Sequence, residues 1–200
     1  MKLRKKRVMT VIHRLTNNIP VIIENLPGAR SVTFGVYVGS GSQNETAAGN
    51  GVAHAIEHML FKGTDKYNAG QLADIMTELG GGINAYTSKE NTVFYGKVLP
   101  EDFERALTVM ADMLFNSVFD SKEFSKEKGV IIDEIDSYDD SAEDMCHELL
   151  QKRVWNDNPL GFIISGSKSN VRKLTRQQLI DFKNANYTAD NILISVAGKC

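Results

Sequence analysis

The chain has 200 residues, of which 42% are hydrophobic and 24% charged, with a formal net charge of −2. That is ample for a buried core and gives no reason to expect a nucleic-acid partner. No apolar run approaches the roughly 20 residues that cross a bilayer, no signal peptide is evident, and two isolated cysteines, Cys146 and Cys200, suit a reducing, cytoplasmic setting better than a disulfide framework.

Charge is uneven along the chain. Met1 to Ile23 holds six basic residues and no acid, whereas Asp120 to Glu148 holds eleven acids and three bases. The basic start, about residues 1–10, reads as a solvated tail. A transit peptide would be richer in serine and run further before the first strand pattern, which begins by about Val8.

VMTVIHRL and IPVIIENL, separated by Asn17 and Asn18, predict a β-hairpin. SVTFGVYV alternates, with Val32, Phe34, Val36 and Val38 on one side, and gives way to a loop of small and polar residues. Helices are predicted over about Gly51 to Phe61 and Ala69 to Leu79, the second ended by Gly80, Gly81 and Gly82. INAYTSKENTVFYGKVL reads as two strands around a turn at Ser88 to Asn91. Pro100 can open the helix of EDFERALTVMADMLF, and a long acidic helix follows from about Lys122 to Tyr138. EDMCHELLQKRVW is a further helix, NPLGFIISGS a loop with a short extended piece, LTRQQLIDFKNANY a helix and NILISVAG a closing strand. The succession predicts one α+β unit over residues 1–200: a largely antiparallel sheet with helices packed on one face.

The chemistry concentrates in HAIEHMLFKGT, His54 to Thr64. On a helix at about 100° per residue, His58 lies roughly 40° from His54 and Glu57 roughly 60° the other way, so all three leave one face. Two imidazoles one turn apart can share a small cation with a carboxylate beside it, which is the reversed His-x-x-Glu-His pattern of zinc hydrolases. The competing reading is a chance pairing on a surface helix. Two histidines hold zinc poorly, and a catalytic site normally has three protein ligands and a position for water. Glu127 and Glu134, two helical turns apart on the acidic helix, share a face and are the candidates for a third ligand. A merely solvated acidic helix fits the same spacing, with Asp133 and Asp136 pointing elsewhere. His13 and His147 have no partner spacing.

HAIEHMLFKGT, NAYTSKENTVFYGKVL, VIIDEI and NPLGFIISGS, in this order, resemble the zinc peptidases related to pitrilysin, insulysin and the β subunit of mitochondrial processing peptidase. The resemblance runs from about Arg14 to Gly198. It implies that His54, His58 and Glu134 are the ligands of Zn²⁺, with one position left for water. It implies that Glu57 takes the proton from that water and passes it to the leaving amine, and that Glu127 gives catalytic support, either orienting a ligand or holding the site's charge balance. It further implies that Asn84, Ala85 and Tyr86, on an edge strand, pair with an extended peptide by β-augmentation, although Tyr86 could equally be a core residue of an ordinary strand. Ala55 stands where the family has a bulky residue, a change that should affect packing more than chemistry.

Members of that family carry two homologous halves that close a chamber, and this chain corresponds to one. The implied function is a zinc endopeptidase or its catalytic half, completed by a homodimer or a second homologous subunit, with weak or absent activity when isolated. The alternative is a non-catalytic binding or assembly subunit of the same fold.

Overall fold

A computed structural model describes residues 10–156 and 158–200 of the chain. The expected basic tail lies outside the described residues, apart from Thr10. Six strands form one sheet: β1 (Thr10–Arg14), β2 (Pro20–Asn25), β3 (Val32–Val38), β4 (Ile83–Thr87), β5 (Thr92–Val98) and β6 (Ile192–Gly198). Their order is β1-β2-β6-β3-β5-β4. Four neighbouring pairs are antiparallel, as expected, and β2 and β6 run parallel. The final strand is therefore inserted mid-sheet, between β2 and β3.

Alternation in β3 gives the sheet two unlike faces. Val32, Phe34, Val36 and Val38 are buried, whereas Thr33 and Tyr37 are exposed. In the antiparallel register Phe34 lies between Gly96 of β5 and Val196 of β6. A Cβ at position 96 would come within 2.6 Å of the Phe34 ring, so only glycine leaves the ring its place. Tyr95 and Tyr86 project from exposed positions, their rings 6.2 Å apart.

Seven helices are described: α1 (Val52–Leu60), α2 (Ala69–Glu78), α3 (Phe103–Asn116), α4 (Ser121–Asp139), α5 (Ala142–Trp155), α6 (Lys168–Lys173) and α7 (Arg176–Asn186). Their starts are set by side chains. The Asp120 carboxylate accepts from the backbone N–H of Lys122 and Glu123 to begin α4, and Asn68–Gln71 and Thr175–Gln178 form capping boxes for α2 and α7. Ile56, Met59 and Leu60 of α1, Met110 and Leu114 of α3, Ile131 of α4 and Leu179 of α7 join the inward valines and Phe34 in one buried cluster. Each fully buried side chain of this size stabilises the fold by about 1.5–3 kcal/mol, so the shared core fixes α1 against the sheet and α4. Ala55 is wholly buried, its short side chain suited to that packing.

The elements match the predicted ones to within two residues at most ends, with two differences. NPLGFIISGS contains no strand; it holds a single 3₁₀ turn at Pro159–Gly161. The Phe162-Ile163-Ile164 run reads as extended in the sequence, but two of its carbonyls are taken by side chains: Lys89 donates to Phe162 and the Asn50 amide to Ile163. The helix α6 was not expected. Its six residues bury only Val171, too short a stretch for a period to register, and Ser167 caps it. Cys146 and Cys200 are free and exposed. No helix among the described residues is long and apolar enough to cross a membrane.

Candidate metal centre

The start of α1 is built from outside the helix. Its N-cap is Gly51, at φ 101, a left-handed conformation without a side chain to cap the helix. A Cβ there would come within 2.8 Å of the Ser165 carbonyl oxygen. The capping is done by Glu45, whose two oxygens accept from the backbone N–H of Ala53 at 2.7 Å and of Gly51 at 2.9 Å. The Asn50 amide also donates to Glu45, at 2.8 Å, and bridges to Ile163 at the same distance. Glu45 thus holds the first turn that carries His54, and ties it to residues 163–166. Sequence reasoning passes over this residue because it stands six to eight positions from the groups it caps, outside any local capping pattern.

Burial pushes the Glu45 carboxyl from an ordinary 4.5 up to about 7, against the pull of the Asn50 amide and the two backbone N–H groups. The folded chain therefore binds this proton more tightly than the unfolded chain. The corresponding stability is complete below pH about 4.5 and is lost as pH rises through about 7. The stability of the wild-type chain minus that of Glu45→Gln, from urea unfolding, is expected to fall by about 2 kcal/mol between pH 5 and pH 8. A difference that stays constant over that range would refute the assignment.

Within α1, His54 and His58 lie one turn apart and meet edge to face, with ring centroids 4.5 Å apart and planes at 74°. Their Nε2 atoms approach to 3.2 Å, and Glu134 of α4 places Oε2 3.3 Å from His58 Nε2 and 3.7 Å from His54 Nε2. An ion held tetrahedrally by bonds of about 2.1 Å spaces its ligand atoms about 3.4 Å apart, so the three donors fit zinc without rearrangement. These three residues are the one such group of His, Cys, Asp and Glu side chains among the described residues. His13 and His147 stand exposed elsewhere.

Electrostatics act in opposite directions on the two imidazoles. Burial, then the neighbouring His58, lowers His54 to about 4, so its imidazole is neutral and offers a lone pair at ordinary pH. Burial works against a charge on His58 as well, but the Glu134 and Glu127 carboxylates overcome it and raise its pKa. The hydrogen bond from His58 holds the Glu134 carboxyl below its usual range.

Two further carboxylates take different positions. Glu127, buried on α4, accepts from Nδ1 of His58 at 2.9 Å and faces Lys62 Nζ at 2.8 Å with its other oxygen. It touches a candidate ligand from behind instead of joining the converging donors. Glu57 accepts from the hydroxyl of Thr87, on β4, and burial raises its carboxyl despite that hydrogen bond. Thr87 was not foreseen, since only the folding of β4 beside α1 brings it across thirty residues to Glu57.

His54, Glu57 and Glu134 open into a cavity of about 410 Å³ that Tyr138, Asp144 and Glu148 also line. Ala85 and Tyr86 line the same cavity. The chance that Tyr86 is a core residue is not met: it is 47% exposed. Asn84 is also exposed, but it does not line the cavity; its side-chain oxygen accepts from the N–H of Ala85. Strand β4 is the last of the sheet on this side, so one of its edges has no strand partner among the described residues. Asp136, expected to be solvated, is exposed and pairs with Lys168.

Comparison with known proteins gives a consistent picture. Residues 20–168 match the profile of the family described as Insulinase (Peptidase family M16). The chain is 42% identical over 182 residues to YmxG of Bacillus subtilis (strain 168), described as an uncharacterized zinc protease, covering 91% of this chain and 44% of that protein. It is 36% identical over 189 residues to the mitochondrial-processing peptidase subunit beta of Blastocladiella emersonii, covering 94% of this chain and 41% of that one. Among solved structures, a protease from Helicobacter pylori superposes with a TM-score of 0.91 at 24% identity, over 96% of this chain and 47% of that chain. The chain spans less than half the length of each of these relatives.

Proposed function

Because the chain belongs to the insulinase family of peptidases, family M16, we propose that it is the metal-bearing half of a zinc endopeptidase that cleaves extended peptides. The observation that carries this reading is the convergence of His54, His58 and Glu134, with a separate carboxylate, Glu57, lining the same open cavity as His54 and Glu134. A purely architectural subunit has no use for three donors at zinc spacing together with a separate carboxylate, which weighs against the non-catalytic alternative.

In this reading His54, His58 and Glu134 hold Zn²⁺. The bound ion supplies Lewis acidity and a water acidic enough to act as a nucleophile near neutral pH. Glu57 accepts a proton and returns it to the leaving amine. Its environment suits both directions, because burial raises the carboxyl while the Thr87 hydroxyl fixes one of its oxygens. The free edge of β4 takes the peptide as an added strand, with Ala85 and Tyr86 at the cavity wall, so main-chain hydrogen bonds provide affinity with little regard to side chains.

Side-chain preference then comes from the acidic residues around the cavity. Asp139, Asp144 and Glu148 line it. Asp139 pairs with Lys168 at 3.0 Å and Glu148 lies 3.4 Å from Lys89, whereas Asp144 has no ion pair among the described residues. A peptide carrying arginine or lysine near the cleaved bond is the complementary substrate. Binding of an arginine-containing peptide, measured by fluorescence anisotropy, should weaken about threefold to fivefold in Asp144→Asn, with a neutral peptide unaffected. Equal loss for both peptides would sink the preference.

The second half of the chamber is proposed to come from a second homologous unit, since the relatives are about twice as long as this chain. The reading as a whole is tested by zinc content. One Zn²⁺ per chain is expected by elemental analysis after dialysis, and none in His58→Ala.

A further inference from the structure

The two imidazoles of the metal centre are supported unequally. His58 has its outer nitrogen, Nδ1, held by Glu127 at 2.9 Å. His54 Nδ1 is buried and meets no hydrogen-bond partner among the described residues. Support behind the ligands therefore runs through one carboxylate, and that carboxylate is gripped on both oxygens. Its second oxygen lies 2.8 Å from Lys62 Nζ. Lys62 lies just past Phe61, the C-cap of α1, and its side chain reaches across to Glu127 on α4. The Glu127 side chain is only 6% exposed, so no solvent competes strongly for either oxygen.

We propose that Lys62 is a positioning residue for the metal centre: it fixes the orientation of Glu127, which in turn keeps the proton of His58 on Nδ1 and its Nε2 lone pair aimed at the metal position. A carboxylate can only accept hydrogen bonds, so the Glu127 contact selects this tautomer only while the carboxylate faces the ring. Remove the Lys62 contact and Glu127 is left with a buried oxygen unpaired, free to turn towards any other donor. The direction of the effect separates positioning from simple charge. Deleting a positive charge near a cation site should tighten cation binding, whereas loss of positioning should weaken it.

The proposal rests on the zinc reading, and the experiment keeps the two apart. Zn²⁺ affinity of the purified chain is measured by competition with a chromophoric chelator for wild type, Lys62→Met, Lys62→Arg, Glu127→Gln and the double variant Lys62→Met/Glu127→Gln, with His58→Ala as the control. Lys62→Met should bind Zn²⁺ about tenfold or more weakly, Lys62→Arg should recover most of that loss, and the double variant should be no weaker than Glu127→Gln alone. Unchanged or tighter binding in Lys62→Met, or losses that multiply in the double variant, would overturn it. If Lys62→Met melts below the assay temperature, Lys62→Gln takes its place in the cycle. If wild type binds zinc no better than His58→Ala, the zinc reading fails. The positioning role is then decided by ¹⁵N NMR on the metal-free chain in a Glu134→Gln background, which removes the carboxylate facing Nε2: the neutral His58 ring should show the Nδ1–H form with Lys62 present and a mixture of tautomers in Lys62→Met, and identical spectra would refute it.

Discussion

Replacing Glu57 by glutamine should lower peptide cleavage about 10²–10⁴-fold while one Zn²⁺ per chain stays bound, a loss of roughly 3–5 kcal/mol of transition-state stabilisation. The geometry supports both parts of this expectation. Glu57 is not one of the three converging donors, so its charge is not needed to hold the ion. Glutamine has nearly the same shape and can still accept from Thr87, so the wall formed by α1 and β4 should survive. What glutamine lacks is the ability to take up a proton. Cleavage is best followed with the chain combined with a second homologous half, because the cavity on this chain is open, and zinc is measured on the same samples. Normal cleavage by Glu57→Gln would remove Glu57 from the role of base. Loss of zinc together with cleavage would make it a ligand instead.

His58→Ala and Glu134→Ala should each lose the metal. Zinc sites of four ligands bind with roughly 10–16 kcal/mol, so each ligand contributes about 3 kcal/mol and its loss weakens binding about a hundredfold or more. The larger effect is expected from His58, which touches Glu134 with one ring nitrogen and Glu127 with the other. Its removal deletes a donor and also leaves Glu127 with Lys62 as its remaining ionic partner among the described residues. Glu134 is about one-third exposed and can be removed with less disturbance to the core. Zinc retained at wild-type affinity in either variant would show that the donors do not act together.

The part of this centre that sequence could reveal was the part written in local spacing. His54, Glu57 and His58 share a face because a helix repeats every 3.6 residues, and residues 52–60 do fold as that helix. Glu134 was only one of two equivalent candidates by spacing. The structure distinguishes them: Glu134 points an oxygen at both Nε2 atoms, and Glu127 reaches the far side of His58. Long-range contacts left no local trace. Glu45 caps a helix from across a loop, Thr87 meets Glu57 through sheet pairing, and Lys62 finds Glu127 because the core presses α1 against α4. Strand order was equally silent, since alternation in NILISVAG says which face is buried but not which neighbours lie on either side.

That strand order bears on how the molecule is made. A ribosome releases β2 and β3 well before β6, yet β2 and β3 do not pair with each other; β6 joins them. Until residues 192–198 emerge, both strands keep an open edge, and the β1–β2 hairpin has no place in the sheet. Synthesis must therefore reach residue 198 before the sheet can close. The histidine helix, whose packing depends on that sheet, is made well before the strand that completes it.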